Sequence, residues 1–140
     1  GLGWYEVSNW ARDEASRCRH NGLYWTSASW WGIGPGAHSH VGGTRFWNVK
    51  HPARYAETLA GGLLPVADSE VLTDDERHLE RVMLTVRLRT GVAAEDLHPA
   101  ERDRADDAVR SGLLDRRGDR YVLTDRGRLL ADGVVRDVLD

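Results

Sequence analysis

The chain is poor in cysteine, with Cys18 as the only one among 140 residues. A single thiol excludes an internal disulfide and fits a reducing compartment, so we expect a cytoplasmic location. Iron–sulfur clusters are held by several cysteine thiolates. The residues of this chain therefore cannot supply a complete set of cluster ligands.

Long apolar runs and an excess of positive charge are also lacking. No stretch reaches the roughly 18 apolar residues of a membrane-spanning helix, and no basic-then-apolar segment opens the chain. Neither a membrane span nor a signal peptide is predicted. The formal net charge of −3 gives no positive field for phosphates, so we expect no nucleic-acid partner. The length suits about one domain with a real core.

The two halves of the chain differ in composition. Residues 1–67 hold all six tryptophans, ten of the fifteen glycines, and six basic against four acidic residues. Residues 68–140 hold thirteen basic against eighteen acidic residues. The change falls near residues 64–67, which we interpret as a linker between two domains.

The first half opens directly on the strand-like residues 4–10. One strand cannot bury both of its faces alone, and a two-stranded unit is marginal in water. We therefore expect residues 1–67 to be the tail of a larger α/β domain whose earlier strands lie upstream. If residues 4–10 form one strand, Glu6 and Asn9 lie on opposite faces.

The second half carries start and stop signals for helices. Thr73 followed by Glu76 is a capping-box pattern, and Gly91 is placed to end the helix that it starts. Pro99 suits the first turn of the next helix, for which Gly112 is the stop.

A hairpin and a final helix follow. Apolar segments flank residues 116–119, which is typical of a hairpin, and Thr124 would cap a last helix with apolar residues facing inward. Those inward residues are Leu130, Val134 and Val138. This order of elements predicts a winged-helix-like module over residues 68–140. Its groove-facing helix would be residues 101–110, whose four acids and three bases do not favour DNA.

The densest chemistry lies in residues 18–25, Cys-Arg-His-Asn-Gly-Leu-Tyr-Trp. A thiol, an imidazole, an amide, a phenol and an indole suit a flat aromatic ligand or a metal. His20 could ligate heme iron or another metal, or it could simply stabilise a turn. A zinc site of Cys18, His20, His38 and His40 is conceivable, but the spacing fits no standard zinc finger.

Two further features have both a structural and a functional interpretation. Residues 32–37, Gly-Ile-Gly-Pro-Gly-Ala, could form a tight bend, or their backbone could contact a nucleotide or tetrapyrrole. These residues do not match the dinucleotide-binding fingerprint. That fingerprint needs a strand and a helix around the glycines and an acidic residue further on, and the sequence does not show these in order. Glu6 could be solvated on a sheet edge or could face a cofactor inside a barrel.

Three motifs of the first half carry a family resemblance. They are Tyr-Glu-Val-Ser-Asn-Trp-Ala at residues 5–11, Cys-x-His-Asn-x-x-Tyr-Trp at 18–25, and Gly-Ile-Gly-x-Gly-Ala-His-Ser at 32–39. Together they resemble the end of the radical-SAM part of the coproporphyrinogen-oxidase-like family, with His-Asn-x-x-Tyr-Trp similar to the mark of its HemW-type heme chaperones. Leu-Thr-Asp-Arg-Gly-Arg-Leu-Leu at 123–130 resembles that family's C-terminal domain.

The resemblance implies an α/β architecture in two parts. Residues 1–67 would hold the terminal strands of an incomplete radical-SAM, partial TIM-like barrel. Residues 68–140 would be the winged-helix-like α+β C-terminal domain. The full-length parent would use S-adenosylmethionine and a 4Fe-4S cluster, whose ligands are absent here, so this chain alone should be catalytically inactive.

The resemblance also implies site residues. Heme would be bound by His20, as ligand of the iron, together with Asn21, Tyr24 and Trp25. Glu6 and the backbone of three loop residues would lie near S-adenosylmethionine. Those three residues are Ile33, Gly34 and Ala37. The expected partners are heme and a protein that accepts it.

Three functions stay open on the sequence alone. The first is a part of a heme chaperone that delivers heme to target proteins. The second is a part of an oxygen-independent coproporphyrinogen III oxidase of porphyrin biosynthesis, against which the His-Asn-x-x-Tyr-Trp motif argues. The third is a protein-interaction module formed by residues 68–140 alone.

Overall fold

The computed structural model describes residues 1–140, which form two compact units. The first unit combines residues 1–26 with residues 76–140, and the second consists of residues 27–75. The chain thus leaves the first unit after its first 26 residues and returns to it from residue 76. The domain boundary expected near residue 67 stays a prediction.

A hairpin opens the first unit. Strand β1 (Gly3–Glu6) pairs antiparallel with β2 (Asn9–Ala11) around a turn at Val7 and Ser8. The expectation of one strand over residues 4–10 was therefore wrong. Glu6 and Asn9 are paired across the turn, instead of lying on opposite faces of one strand.

Residues 18–25 are largely helical. A short 3-10 turn (Glu14–Ser16) precedes helix α1 (Arg19–Trp25). Cys18 is the residue before the first turn of α1, and Thr26 is the residue after the last. The Thr26 hydroxyl donates to the Gly22 carbonyl at 2.9 Å, which satisfies one of the free carbonyls of the last turn. The His-Asn-x-x-Tyr-Trp motif is thereby presented on a helix.

The remainder of the first unit has its own apolar core. Its helices are α3 (Asp74–Thr85), α4 (Pro99–Arg110), α5 (Asp125–Leu129) and α6 (Ala131–Leu139). The first two residues of α3 are counted with the second unit. Its sheet has the order β6-β8-β7, from β6 (Val92–Ala93), β7 (Leu114–Arg117) and β8 (Arg120–Leu123). The core lies between this sheet and the helices and includes Val82, Leu97, Leu114, Tyr121 and Val138.

The last helix is interrupted, which the sequence did not predict. Thr124 caps α5 by accepting from the Gly127 N–H at 2.9 Å, but Leu130 leaves the helical conformation and half of it is exposed. Val134 and Val138 are buried as expected. A side chain at Gly127 would lie 1.9 Å from the Leu113 carbonyl oxygen, so α5 packs directly on the backbone before β7.

The second unit is built on an antiparallel sheet of order β3-β4-β5. Its elements are β3 (His38–Val41), β4 (Thr44–Asn48), α2 (Pro52–Ala60) and β5 (Val66–Val71). Val66 and Ala67 begin β5, so their interpretation as linker was wrong. The reason is that β4 offers an edge with which Val66 and the residues after Ala67 pair.

The mixed α/β class is confirmed by these elements. The assignment of residues 1–67 to a radical-SAM barrel and of residues 68–140 to a winged helix stays a prediction. Every helix falls short of the length and apolar character needed to cross a bilayer.

Candidate functional site

Helix α1 presents its residues on three different faces. Residues four apart share a face of a helix, so His20 lies with Tyr24 and Asn21 lies with Trp25. Cys18 and Gly22 lie along a third face. The four residues of the expected heme motif are therefore divided into two pairs that meet different surroundings.

The pair of Asn21 and Trp25 faces the protein. Asn21 Nδ2 donates to Glu6 Oε1 at 3.4 Å. The Trp25 Nε1–H is buried and has no partner inside the protein. The Asn21 side chain therefore ties α1 to the N-terminal hairpin.

Glu6 is the buried anchor for this arrangement, with 0% of its surface exposed. Its carboxylate accepts from the Ser8 N–H at 3.0 Å and also from the side-chain amides of Asn9 and Asn21. A buried carboxylate is costly unless several donors satisfy it. Glu6 thus fixes the turn of the hairpin and one face of α1 together.

The pair of His20 and Tyr24 faces outward. The two rings meet edge to face, with centroids 5.0 Å apart and planes 84° apart. His20 is exposed, and no hydrogen bond or ion pair within the protein occupies its ring nitrogens. Tyr24 is 41% exposed. This face offers a free imidazole beside an aromatic surface.

The third face of α1 borders an open groove of about 940 Å³. The arginines Arg17, Arg19 and Arg89 line it together with apolar groups of Tyr5 and Leu23. Cys18 is its exposed thiol. His20 does not line this groove, because it points from another side of the helix.

The expected cofactor residues of the loop at 32–37 belong to the second unit. The Gly34 N–H donates to the Tyr55 hydroxyl at 3.1 Å, and the Gly34 carbonyl accepts from Asn48 Nδ2 at 2.9 Å. Ala37 donates to the Gly34 carbonyl and accepts from the Asn48 N–H. Ile33 is 86% exposed. The loop is a tight bend whose backbone at Gly34 and Ala37 is already hydrogen-bonded.

The histidines that an alternative zinc site would need also have other contacts. His40 Nδ1 lies 3.2 Å from the Ala28 carbonyl oxygen, and the ring of His38 lies against Trp47 at 5.7 Å. Both contacts hold the imidazoles on the β3 side of the second unit. They give a packing role to these two residues.

Sequence reasoning missed a second cluster, formed by His78, His98 and Glu101. His78 Nε2 lies 2.9 Å from both carboxylate oxygens of the buried Glu101, and the two imidazole rings stack at 3.8 Å. Burial raises the pKa of Glu101, but hydrogen bonds from His78 and the His98 backbone N–H, and attraction to both imidazoles, outweigh it. The pKa therefore lies below its usual value.

Two comparisons of sequence bear on these sites. The HemN C-terminal domain family matches residues 72–130. A heme chaperone HemW of Mycobacterium tuberculosis is 58% identical over 139 residues, which cover 99% of this chain and 35% of that protein. The HemW of Bacillus subtilis is 30% identical over 142 residues, covering 96% of this chain and 37% of that protein.

The chain belongs to the HemW-type, coproporphyrinogen III oxidase-like family. It spans roughly a third of the length of the HemW relatives that it matches. Among solved structures, coproporphyrinogen III oxidase (HemN) from Escherichia coli, described as a radical SAM enzyme, matches with a TM-score of 0.69. At 17% identity over 99% of this chain and 37% of that one, this likeness to HemN is one of fold.

Proposed function

We propose that this chain binds heme as a cargo through the outward face of α1, and that it does so as part of a heme chaperone that passes heme to a target protein. The observation that carries the proposal is the exposed, unpartnered imidazole of His20 beside Tyr24. The HemW relatives named above are called heme chaperones, which supports the same cargo.

The donor chemistry of this face fits heme. A neutral imidazole is a strong ligand of heme iron, and an exposed one can accept the iron without breaking an internal hydrogen bond. Tyr24 adds aromatic area against which a porphyrin edge can pack. Asn21 has a positioning role in this proposal, because its side chain bonds to Glu6, and Trp25 lies on the same inner face of the helix.

The residues of this chain do not fit a 4Fe-4S cluster. Such a cluster takes thiolates from several cysteines, and Cys18 is the single thiol. The backbone groups of Gly34 and Ala37 expected near S-adenosylmethionine are hydrogen-bonded to each other and to Tyr55 and Asn48 of the second unit. The proposal therefore concerns heme binding alone and assigns no radical chemistry to these residues.

The test is a heme titration of the purified chain, followed by absorbance in the Soret region. Wild type and the variants His20→Ala and His51→Ala are compared, with circular dichroism confirming that each is folded. His51 is the matched control, since it is another exposed histidine whose side chain caps nothing. We expect saturable binding to wild type and His51→Ala and at least about tenfold weaker binding to His20→Ala.

Two results would overturn the role of His20. Equal heme affinity of folded His20→Ala and wild type would show that the iron has another ligand. A spectral change that survives His20→Ala and is lost in Cys18→Ser would place heme in the arginine-lined groove. If the folded wild-type chain binds no heme, the same titration on a longer protein of this family with the equivalent histidine replaced decides whether the helix takes part.

A further inference from the structure

A cluster of two imidazoles and one carboxylate joins α3 to the start of α4. We propose that His78, His98 and Glu101 form a binding site for a divalent transition-metal ion of the zinc class. The site lies within the first unit and shares no residue with the heme face of α1. It is therefore independent of the proposed function.

The geometry brings three donor groups to one point. One nitrogen of each histidine and one oxygen of Glu101 all lie within 4.8 Å of one another. His78 Nε2 is 2.9 Å from Glu101 Oε1, and His98 Nδ1 is 3.8 Å from the same oxygen. Ligands of tetrahedral zinc at about 2.0–2.2 Å from the metal lie roughly 3.3 Å from each other. The donor distances bracket that value.

The chain already fixes two of the three ligands. Glu101 is 6% exposed, and its Oε2 accepts from the His98 backbone N–H at 2.7 Å. His78 is held by its hydrogen bonds to the same carboxylate. A donor set that is in place before the ion arrives loses little conformational entropy on binding. The third ligand, His98, is 65% exposed at its side chain and can turn toward the ion.

The donor types select the metal. Two imidazoles and one carboxylate are typical of zinc sites with three protein ligands, in which water takes the fourth position. Calcium and magnesium prefer oxygen ligands, so a set with two nitrogens disfavours them. The exposed side of His98 leaves the fourth position open to solvent. The ion would take the place of the hydrogen atom in the hydrogen bond between His78 Nε2 and Glu101. It would thereby link α3 to α4.

The test measures Zn²⁺ binding to the chelator-treated chain by calorimetry and Co²⁺ binding by its visible absorption. We expect one ion per chain for wild type. Binding should weaken at least about tenfold in His98→Ala and in His78→Gln. His51→Ala is the matched control, because it removes an exposed histidine outside the cluster, and it should bind like wild type. His98→Ala is the decisive variant, since it removes an exposed side chain and leaves Glu101 and its backbone contact in place.

Each alternative result overturns the proposal. A folded wild-type chain that binds neither ion shows that the three residues are only a hydrogen-bonded helix start. Unchanged affinity in folded His98→Ala and His78→Gln shows that the metal binds elsewhere. A thiolate charge-transfer band in the Co²⁺ complex, lost in Cys18→Ser, would place it at Cys18.

Discussion

Tyr121 shows how strongly one buried polar group can depend on its neighbours. Only 1% of it is exposed, and its hydroxyl donates to Asp106 Oδ1 at 2.7 Å while it accepts from Arg116 at 2.5 Å. Burial, followed by the hydrogen bond to Asp106 and the charge of that carboxylate, raises the pKa of Tyr121 above its ordinary value of 10.0. The native state therefore favours the protonated phenol.

This shift predicts a loss of stability in alkali. Since the folded pKa is the higher one, the stabilisation is complete below about pH 10 and disappears as the pH rises through the folded pKa. We expect the free energy of unfolding of wild type, measured with urea, to fall above about pH 10. Tyr121→Phe should be less stable near neutrality by about 1 kcal/mol but should fall less steeply in alkali. An equally steep fall in this variant would show that other groups cause the alkaline loss.

At the scale of elements, α1 depends on a residue of the preceding hairpin. Glu6 accepts hydrogen bonds from the hairpin turn and from Asn21 on the inner face of α1. The carboxylate can only accept, and the Ser8 N–H and the amides of Asn9 and Asn21 all present a donor to it. A donor introduced at this place would face these donors in their present orientation.

Glu6→Gln is expected to destabilise the chain by about 1–3 kcal/mol, because one of its amide hydrogens would face other buried donors. Asn9→Ala is the matched control, since it removes one donor but keeps the carboxylate and its bond to Asn21. Urea unfolding followed by circular dichroism compares the two. Stability of Glu6→Gln equal to wild type would contradict the anchoring role. If the heme proposal holds, Glu6→Gln should also weaken heme binding without removing the iron ligand.

The elements that sequence predicted are those with strong local signals. Helix α4 begins at Pro99 as expected, α3 begins directly after Thr73, and β7 and β8 form the predicted hairpin. Proline at a first helical turn, a capping pattern and a two-residue turn act over a few residues. They could therefore be recognised without knowledge of the rest of the molecule.

The elements that sequence missed depend on long-range contacts or on unusual turns. The turn at Val7 and Ser8 has none of the glycine or asparagine that normally marks a hairpin, and the Glu6 side chain stabilises it instead. The break at Leu130 comes three residues after Gly127, which lies against the backbone of Leu113, a residue 14 positions earlier in the chain. The His78–Glu101 contact joins residues 23 apart in sequence, which no local pattern indicates.

The sequence indicated four candidate heme residues but not how they are arranged on the helix. The sequence pointed to His20 and its three neighbours as a group. The structure divides them, because a helix places residues four apart on a common face and residues one apart on different ones. Only His20 and Tyr24 are presented to solvent as a pair.

At the scale of the whole molecule, the first unit is assembled from two distant parts of the chain. The buried cluster of its core runs from Val82 to Val138, so residues 68–140 contain it entirely. The N-terminal hairpin adds to it through the Val7 N–H to the Arg87 carbonyl at 3.1 Å and the Arg89 N–H to the Tyr5 carbonyl at 3.0 Å. Arg128 also lies over the rings of Trp4 and Trp10.

Residues 68–140 expressed alone are therefore expected to unfold cooperatively, but with a lower free energy of unfolding than the whole chain. Without the hairpin, this segment lacks two backbone hydrogen bonds, the hydrogen bond from the Arg89 side chain to the Trp4 carbonyl and two cation–π interactions, which together correspond to roughly 2–6 kcal/mol. Urea unfolding followed by circular dichroism compares the two chains. A gradual transition would show that the segment has no independent core, and equal stability would show that the hairpin contributes nothing.

The two-part assembly of this unit sets the order in which it can be completed during synthesis. Trp4 and Arg89, which meet in the native state, are 85 residues apart in the chain. At about 5–20 residues per second, a ribosome needs roughly 4–17 s to make the second partner after the first. During that interval the hairpin, with the exposed indole of Trp10, cannot make its contacts with Arg87, Arg89 and Arg128. The hairpin is thus made well before the segment on which it docks, and during the delay Trp4 and Trp10 lack the cation–π contacts with Arg128 that they make in the native state.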